Sequence, residues 1–119
     1  MKTIVAGPRD FMSYGPVVKA IFKSRFKITE LFSGTAKGVD NCGEVWARSM
    51  GVPIRLFPPN WKQYGDAAGP MRNRLMATQA EALIALKYRD NPSRGTASMI
   101  NIARELGLKI YIYSIDREV

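Results

Sequence analysis

The chain has 119 residues, a net charge of +8, no histidine and one cysteine, Cys42. The missing histidine excludes Ser-His-Asp catalysis and histidine general-base chemistry, and the single cysteine excludes an internal disulfide and argues against a zinc or transition-metal site. A content of 46% hydrophobic and 24% charged residues suits one folded domain over residues 1–119 rather than a disordered segment.

The elements follow in a regular rhythm. Residues 2–6, KTIVA, are a short apolar run ended by Gly7 and Pro8, read as a buried strand and not a signal segment. Val17, Val18, Ile21 and Phe22 predict a helix over 14–25. Residues 28–33, ITELFS, predict a second strand. Val39, Cys42, Val45, Trp46 and Met50 predict a second helix over 39–50, closed by Gly51. Residues 53–57 predict a third strand. A third helix is expected over 70–80, opening at Pro70 after a long loop that holds Trp61 and Tyr64. Residues 82–87 are a fourth, apolar strand, 95–106 a fourth helix, and 109–113, KIYIY, a fifth strand. Asp116–Val119 is expected to fray. No apolar run approaches the length of about 18 residues that a bilayer span needs. The default location is the reducing cytoplasm.

Strictly alternating strands and helices imply an α/β fold: a single Rossmann-like, three-layer domain. Its five-stranded parallel sheet, in the order 3-2-1-4-5, carries helices on both faces. Ligands of such sheets bind beyond the carboxyl ends of the strands, near the switch point between strands 1 and 4. Four unusual segments sit between a strand and the next helix: GPRDF at 7–11, SGTAKGVD at 33–40, AAGPMRNR at 67–74 and NPSRGT at 91–96. All four therefore converge on one edge, whereas the loops at the opposite edge are plain.

Chemically, Gly34 and Gly38 allow close backbone approach, and a loop running into a helix suits a phosphate. Asp40 is open to three readings: a cap of the second helix, a ribose acceptor, or a brace for its loop. Ser93, Gly95 and Thr96 offer donors at the start of the fourth helix. Arg72 and Arg74, read as first-turn residues of the third helix, oppose the helix dipole, which makes sense if an anion sits there. The alternative is pairing with Asp66 or Asp10. Asn73 can bond a base, a ribose or a loop, and Trp61 and Tyr64 can stack on a base or pack their own loop. The positive charge favours an anionic partner. Neither G-x-G-x-x-G nor G-x-x-x-x-G-K-[ST] occurs, so an ordinary NAD dehydrogenase and a P-loop NTPase are unsupported.

IVAGPRDF, LFSGTAKGVD, the pattern W-x-x-x-G-x-A-A-G-P-x-R-N-R-x-M-A from Trp61 to Ala77, and SRGTASMI together resemble the YspA/cpYpsA-related branch of the SLOG superfamily. SGTAKGVD and RNR are also similar to elements of the DNA-processing protein DprA. The resemblance implies a Rossmann-like domain for nucleotides or nucleotide-derived ligands, of the NAD or ADP-ribose kind. It marks Gly7, Arg9, Asp10, Ser33, Gly34, Lys37, Gly38, Asp40, Arg72, Asn73, Ser93, Gly95 and Thr96 as the site. The related LOG phosphoribohydrolases carry P-G-G-x-G-T-x-x-E. Here Met99 stands at the glutamate position and Pro92–Ser93 replace the leading glycines. Catalytic residues are accordingly unassigned, with Glu44 and Glu81 placed on the second and third helices, away from that position.

Three functions remain open. The leading one is a ligand sensor or binding module, including a sponge that sequesters a nucleotide signal in phage–host conflict. The others are a hydrolase of N-glycosidic or phosphate bonds, and a DprA-like binder of single-stranded nucleic acid. No certain cofactor, no metal and no membrane partner is expected, and a homo-oligomer is.

Overall fold

The computed structural model describes residues 1–117. Five strands, β1 (Lys2–Ala6), β2 (Glu30–Ser33), β3 (Ile54–Leu56), β4 (Ala82–Tyr88) and β5 (Lys109–Ile115), form one parallel sheet in the order β3-β2-β1-β4-β5. This is the expected order. Ile4 lies opposite Phe32 on one side and Leu83 on the other. The helices are α1 (Tyr14–Ser24), α2 (Val39–Met50), α3 (Trp61–Tyr64), α4 (Ala68–Gln79) and α5 (Arg94–Glu105), with a 3-10 turn over Gly65–Ala67.

β1 and β4 are apolar almost without interruption because both of their faces are covered. One face, with Val5, Leu31, Ile84 and Leu86, packs against Val17, Ala20 and Ile21 of α1 and Val39, Cys42 and Ala47 of α2. The other, with Ile4, Phe32, Leu83 and Ala85, packs against Met76 and Ala77 of α4 and Met99, Ile100 and Ala103 of α5. Gly51 closes α2 in the left-handed region, φ +70°, as its sequence position predicts.

Some expectations are corrected. Phe22 is 82% exposed, and Val45 and Met50 also face outward, because α1 and α2 bury narrower stripes than their apolar content suggests. The segment holding Trp61 and Tyr64 is a short helix capped by Asn60, whose Oδ1 accepts from Gln63 N–H at 3.1 Å. α4 begins at Ala68, so Pro70 is its third residue, where a missing N–H costs no intrahelical bond. Glu81 lies outside that helix, in the connection to β4, and accepts from Lys2 N–H at 2.9 Å. At the tail, Asp116 pairs with Arg89 (3.0 Å) and Arg117 with Asp90 (3.1 Å), so these two residues are tied down; Glu118 and Val119 lie outside the described residues. No helix among the described residues is long and apolar enough to cross a membrane.

The inner stripe of α1 should dominate its contribution to stability. Ile21→Ala is expected to cost about 2–5 kcal/mol in denaturant unfolding, whereas Phe22→Ser should stay within about 0.5 kcal/mol. Equal losses at the two positions would contradict this packing.

Candidate functional site

The loops after β1, β2 and β3 enclose a cleft of about 570 Å³. Arg9, Asp10 and Met12 form one wall, Gly34, Thr35, Ala36 and Lys37 the second, and Pro59, Trp61 and Arg72 the third. A much smaller cavity of about 60 Å³ adjoins it at the β1/β4 switch point, where Gly7, Asp40, Asn73, Met76, Gly95, Thr96 and Met99 meet. Ala36 and Arg72 line both spaces.

The loop after β2 is held from inside. Ser33 Oγ donates to Glu44 Oε2 at 2.6 Å and accepts from Thr35 N–H at 3.1 Å. Ala36 N–H donates to Asp40 Oδ2 at 3.3 Å. Arg72 enters from α4: its Nη1 donates to the Gly34 carbonyl and to Phe57 O (3.4 Å), and its Nε donates to Asn73 Oδ1 at 2.8 Å. Its Nη2 makes no hydrogen bond among the described residues, and the guanidinium faces the cleft.

Both loop glycines lie close against other parts of the protein. A Cβ on Gly34 would lie 2.8 Å from Arg72 Nη1 and 3.0 Å from Asp40 Oδ2. Gly38 has φ +73°, and its Cβ would lie 2.5 Å from Pro8 O and 2.6 Å from Arg9 O, where the first two loops press together. Gly95 differs, with nothing near its Cβ position.

Burial decides the electrostatics. Asp40 is 5% exposed. Desolvation pushes its pKa from 3.8 up to about 7, against the opposing pull of the Ala36 and Gly7 N–H groups and the Arg72 charge. Arg72 is held below its ordinary value, chiefly by burial, with Asp40 acting in the opposite direction.

The predicted site residues therefore divide. Arg9, Asp10, Gly34, Lys37 and Arg72 meet in the outer cleft; Gly7, Asp40, Asn73, Gly95 and Thr96 meet in the inner cavity. Ser33 is buried on Glu44, Gly38 faces a shallow neighbouring depression, and Ser93 caps α5 by accepting from Thr96 N–H at 3.3 Å. Asp40 is the second residue of α2, not its cap, and its carboxylate braces the loop. Arg72 belongs to the second turn of α4, which removes the dipole argument for an anion there. Neither it nor Arg74 pairs with Asp66 or Asp10; Arg74 pairs with Glu105 of α5 at 2.8 Å. Asp10 accepts from the Tyr88 hydroxyl at 2.7 Å. Trp61 is 57% exposed on the cleft wall, whereas Tyr64 is exposed elsewhere. Sequence reasoning missed Met12, Thr35, Ala36 and Pro59. The Pro58–Pro59 pair was a usable turn signal; Thr35, at φ +67°, offered none.

The YspA, cpYpsA-related SLOG family profile matches residues 1–64, more than half of the chain. The chain belongs to this family. Membership gives it a nucleotide-related role, in binding or in processing. Among solved structures it is similar to a predicted subunit of tRNA methyltransferase from Methanocaldococcus jannaschii, at 12% identity over 94% of this chain and 68% of that one, with a TM-score of 0.48. No curated protein matches by sequence.

Two outcomes test the braced loop. Gly38→Ala should destabilise the protein by about 1–3 kcal/mol, since a Cβ meets backbone at a φ that side chains rarely adopt; calorimetric unfolding measures this. Asp40 has a folded pKa above its unfolded value, so its contribution to stability is complete below about pH 3.8 and is lost as pH rises through about 7. The slope from this group is at most about 1.4 kcal/mol per pH unit. Asp40→Asn keeps the shape and should remove that decline. Parallel pH profiles for parent and variant would show that Asp40 ionises normally.

Proposed function

We propose that this SLOG-family chain is a cytoplasmic binding module for a nucleotide-derived small molecule of the NAD or ADP-ribose class, acting by sensing or by sequestering that molecule, as in phage–host conflict. The observation that carries the reading is the outer cleft. Three cations, Arg9, Lys37 and Arg72, share its walls with one exposed indole, Trp61. Its volume of about 570 Å³ falls within the range of about 300–1,000 Å³ usual for small-molecule pockets. Phosphate oxygens suit the cations, with the free Nη2 of Arg72 available beside the mobile ends of Arg9 and Lys37. The purine face suits Trp61.

Binding fits better than hydrolysis. Met99 is 1% exposed at the floor of the inner cavity and supplies no acid or base. Asp40 is buried as a loop brace, and Asp10 is tied to Tyr88, so these two carboxyls do not act on one point. A single-stranded nucleic acid is disfavoured because one exposed indole on the cleft wall is no stacking platform.

Titration calorimetry with ADP-ribose, NAD, AMP and adenosine tests the reading. Trp61→Ala should weaken the nucleotides by about 1–3 kcal/mol. Arg9→Ala and Lys37→Ala should weaken phosphate-bearing ligands while leaving adenosine unchanged. Chromatography after long incubation should show no free base. Failure of all four to bind, together with no nucleotide co-purifying in native mass spectrometry, would remove the proposal; rapid base release would replace it with the hydrolase.

A further inference from the structure

The two edges of the sheet are built differently. β3 has three residues, follows Pro53, precedes Pro58, and carries Arg55, which pairs with Glu30 at 3.5 Å and bonds Gln79 at 2.7 Å. It is short, charged and bounded by proline, the usual protection of an edge. β5 has neither the shortness nor the proline, and its one charge, Lys109, stands at its start. It runs for seven residues, KIYIYSI, with no proline, and its register with β4 is unbroken from Lys109 to Ile115.

The outward backbone groups can be named. Lys109 N–H donates to Glu81 O (3.1 Å) and Ile115 O accepts from Arg89 N–H (3.0 Å), so residues 109, 111, 113 and 115 turn their backbone towards β4. By the alternation of a parallel ladder, Ile110, Ile112 and Ser114 turn theirs away from the sheet. Among these outward groups, Ser114 O accepts from Arg89 Nη2 at a long 3.5 Å. The side chains from Ile110 to Ser114 are all partly exposed, although Ile110 and Ile112 pack on one core cluster and Tyr111 and Tyr113 on the other.

We infer that the free edge of β5 pairs antiparallel, about a two-fold axis at Ile112, with β5 of a second copy of this chain. The register follows from the strand itself. With Ile112 opposite its own copy, the outward residues meet as hydrogen-bonded pairs, Ile112 with Ile112 and Ile110 with Ser114. Tyr111 then faces Tyr113 at a non-hydrogen-bonded position, where cross-strand aromatic contacts are closest. Exposed Lys109 faces Ile115 at both ends of the pairing, where its ammonium stays in solvent. A shift by one residue would set outward groups against inward ones and lose the ladder. The occupant is a second copy rather than an unrelated peptide because the strand complements itself in hydrogen bonds and in the two Tyr111–Tyr113 pairs, which only an identical strand supplies in this register. Arg89 Nη2 leaves Ser114 O when the strands meet. The pairing is independent of what the cleft binds.

Sedimentation velocity of the full chain over a concentration series should show a monomer–dimer equilibrium. Ser114→Pro deletes an outward N–H that the fold does not use and is tolerated on an edge strand. It should raise the dimer dissociation constant at least about tenfold, the loss expected for about 1.4 kcal/mol of hydrogen bonding, with the thermal unfolding midpoint unchanged at concentrations where both proteins are monomeric. Ile112→Cys gives a second readout that survives if the proline variant fails to fold. Paired Cα atoms about 5.5 Å apart suit a disulfide, so mild oxidation should yield a covalent dimer. Lys109→Cys and the parent, whose Cys42 is buried, should not cross-link. A chain that stays monomeric throughout, or a dimer that ignores Ser114→Pro and does not cross-link at 112, overturns the inference. So does a monomer that captures only an added extended peptide.

Discussion

The clamp of Arg72 on the carbonyl of Gly34 organises the edge of the sheet that carries the cleft. One guanidinium, delivered by α4, reaches the loop after β2, the end of β3 at Phe57 and its own neighbour Asn73. It thereby ties α4 to the carboxyl ends of β2 and β3, which are themselves paired up to Ser33 and Leu56. Gly34 is required because any side chain there would enter the space of the guanidinium or of Asp40. The loop is thus shaped by a polar contact, and the cleft wall inherits its position from it.

The same clamp sets the electrostatics. If Arg72 and Asp40 formed an ordinary close ion pair, the wall would be neutral. No pairing within 4 Å is present between them, and burial lifts Asp40 towards neutrality near pH 7. The Arg72 charge is then only partly compensated. With Arg9 and Lys37 on the other walls, three cations and one carboxylate, Asp10, line the cleft, a balance that favours an anion. The overall charge of +8 would not reveal this, because other cations, Arg48, Arg55, Arg74 and Arg89 among them, are paired with carboxylates.

Fold and site were unequally legible in the sequence. The parallel sheet order came from alternation, and the edge carrying the candidate cleft came from the contrast between glycine-rich and plain loops. Both are patterns of backbone demand, which residue types record directly. The direction of individual side chains is not recorded in that way. Gly34 and Gly38 record a need for space at these turns without showing what lies against them: Arg72 and Asp40 beside Gly34, the first loop beside Gly38. Arg72 looked like a first-turn anion ligand because Pro70 suggested a later helix start than Ala68. Phe22 looked like core because the period of α1 is right while its buried stripe is narrow. Thr35 carried no signal, since a positive φ at threonine depends on the Ser33 and Asp40 hydrogen bonds around it.

The position of the cleft follows from what fills the switch point. In an open α/β sheet, the divergence of the connections after β1 and β4 leaves a crevice where a ligand can touch the strand ends. Here Asn73 and Met76 of α4 and Thr96 and Met99 of α5 close over that crevice until about 60 Å³ remains, room for little more than ordered water. The larger opening is displaced outward, over the loops of β1 and β2, and is roofed by Trp61 on its short helix. A ligand held there rests on loop backbone and long cationic side chains. Met99, buried in the inner cavity, provides shape and no proton, and the proposal of binding over turnover rests on that chemistry.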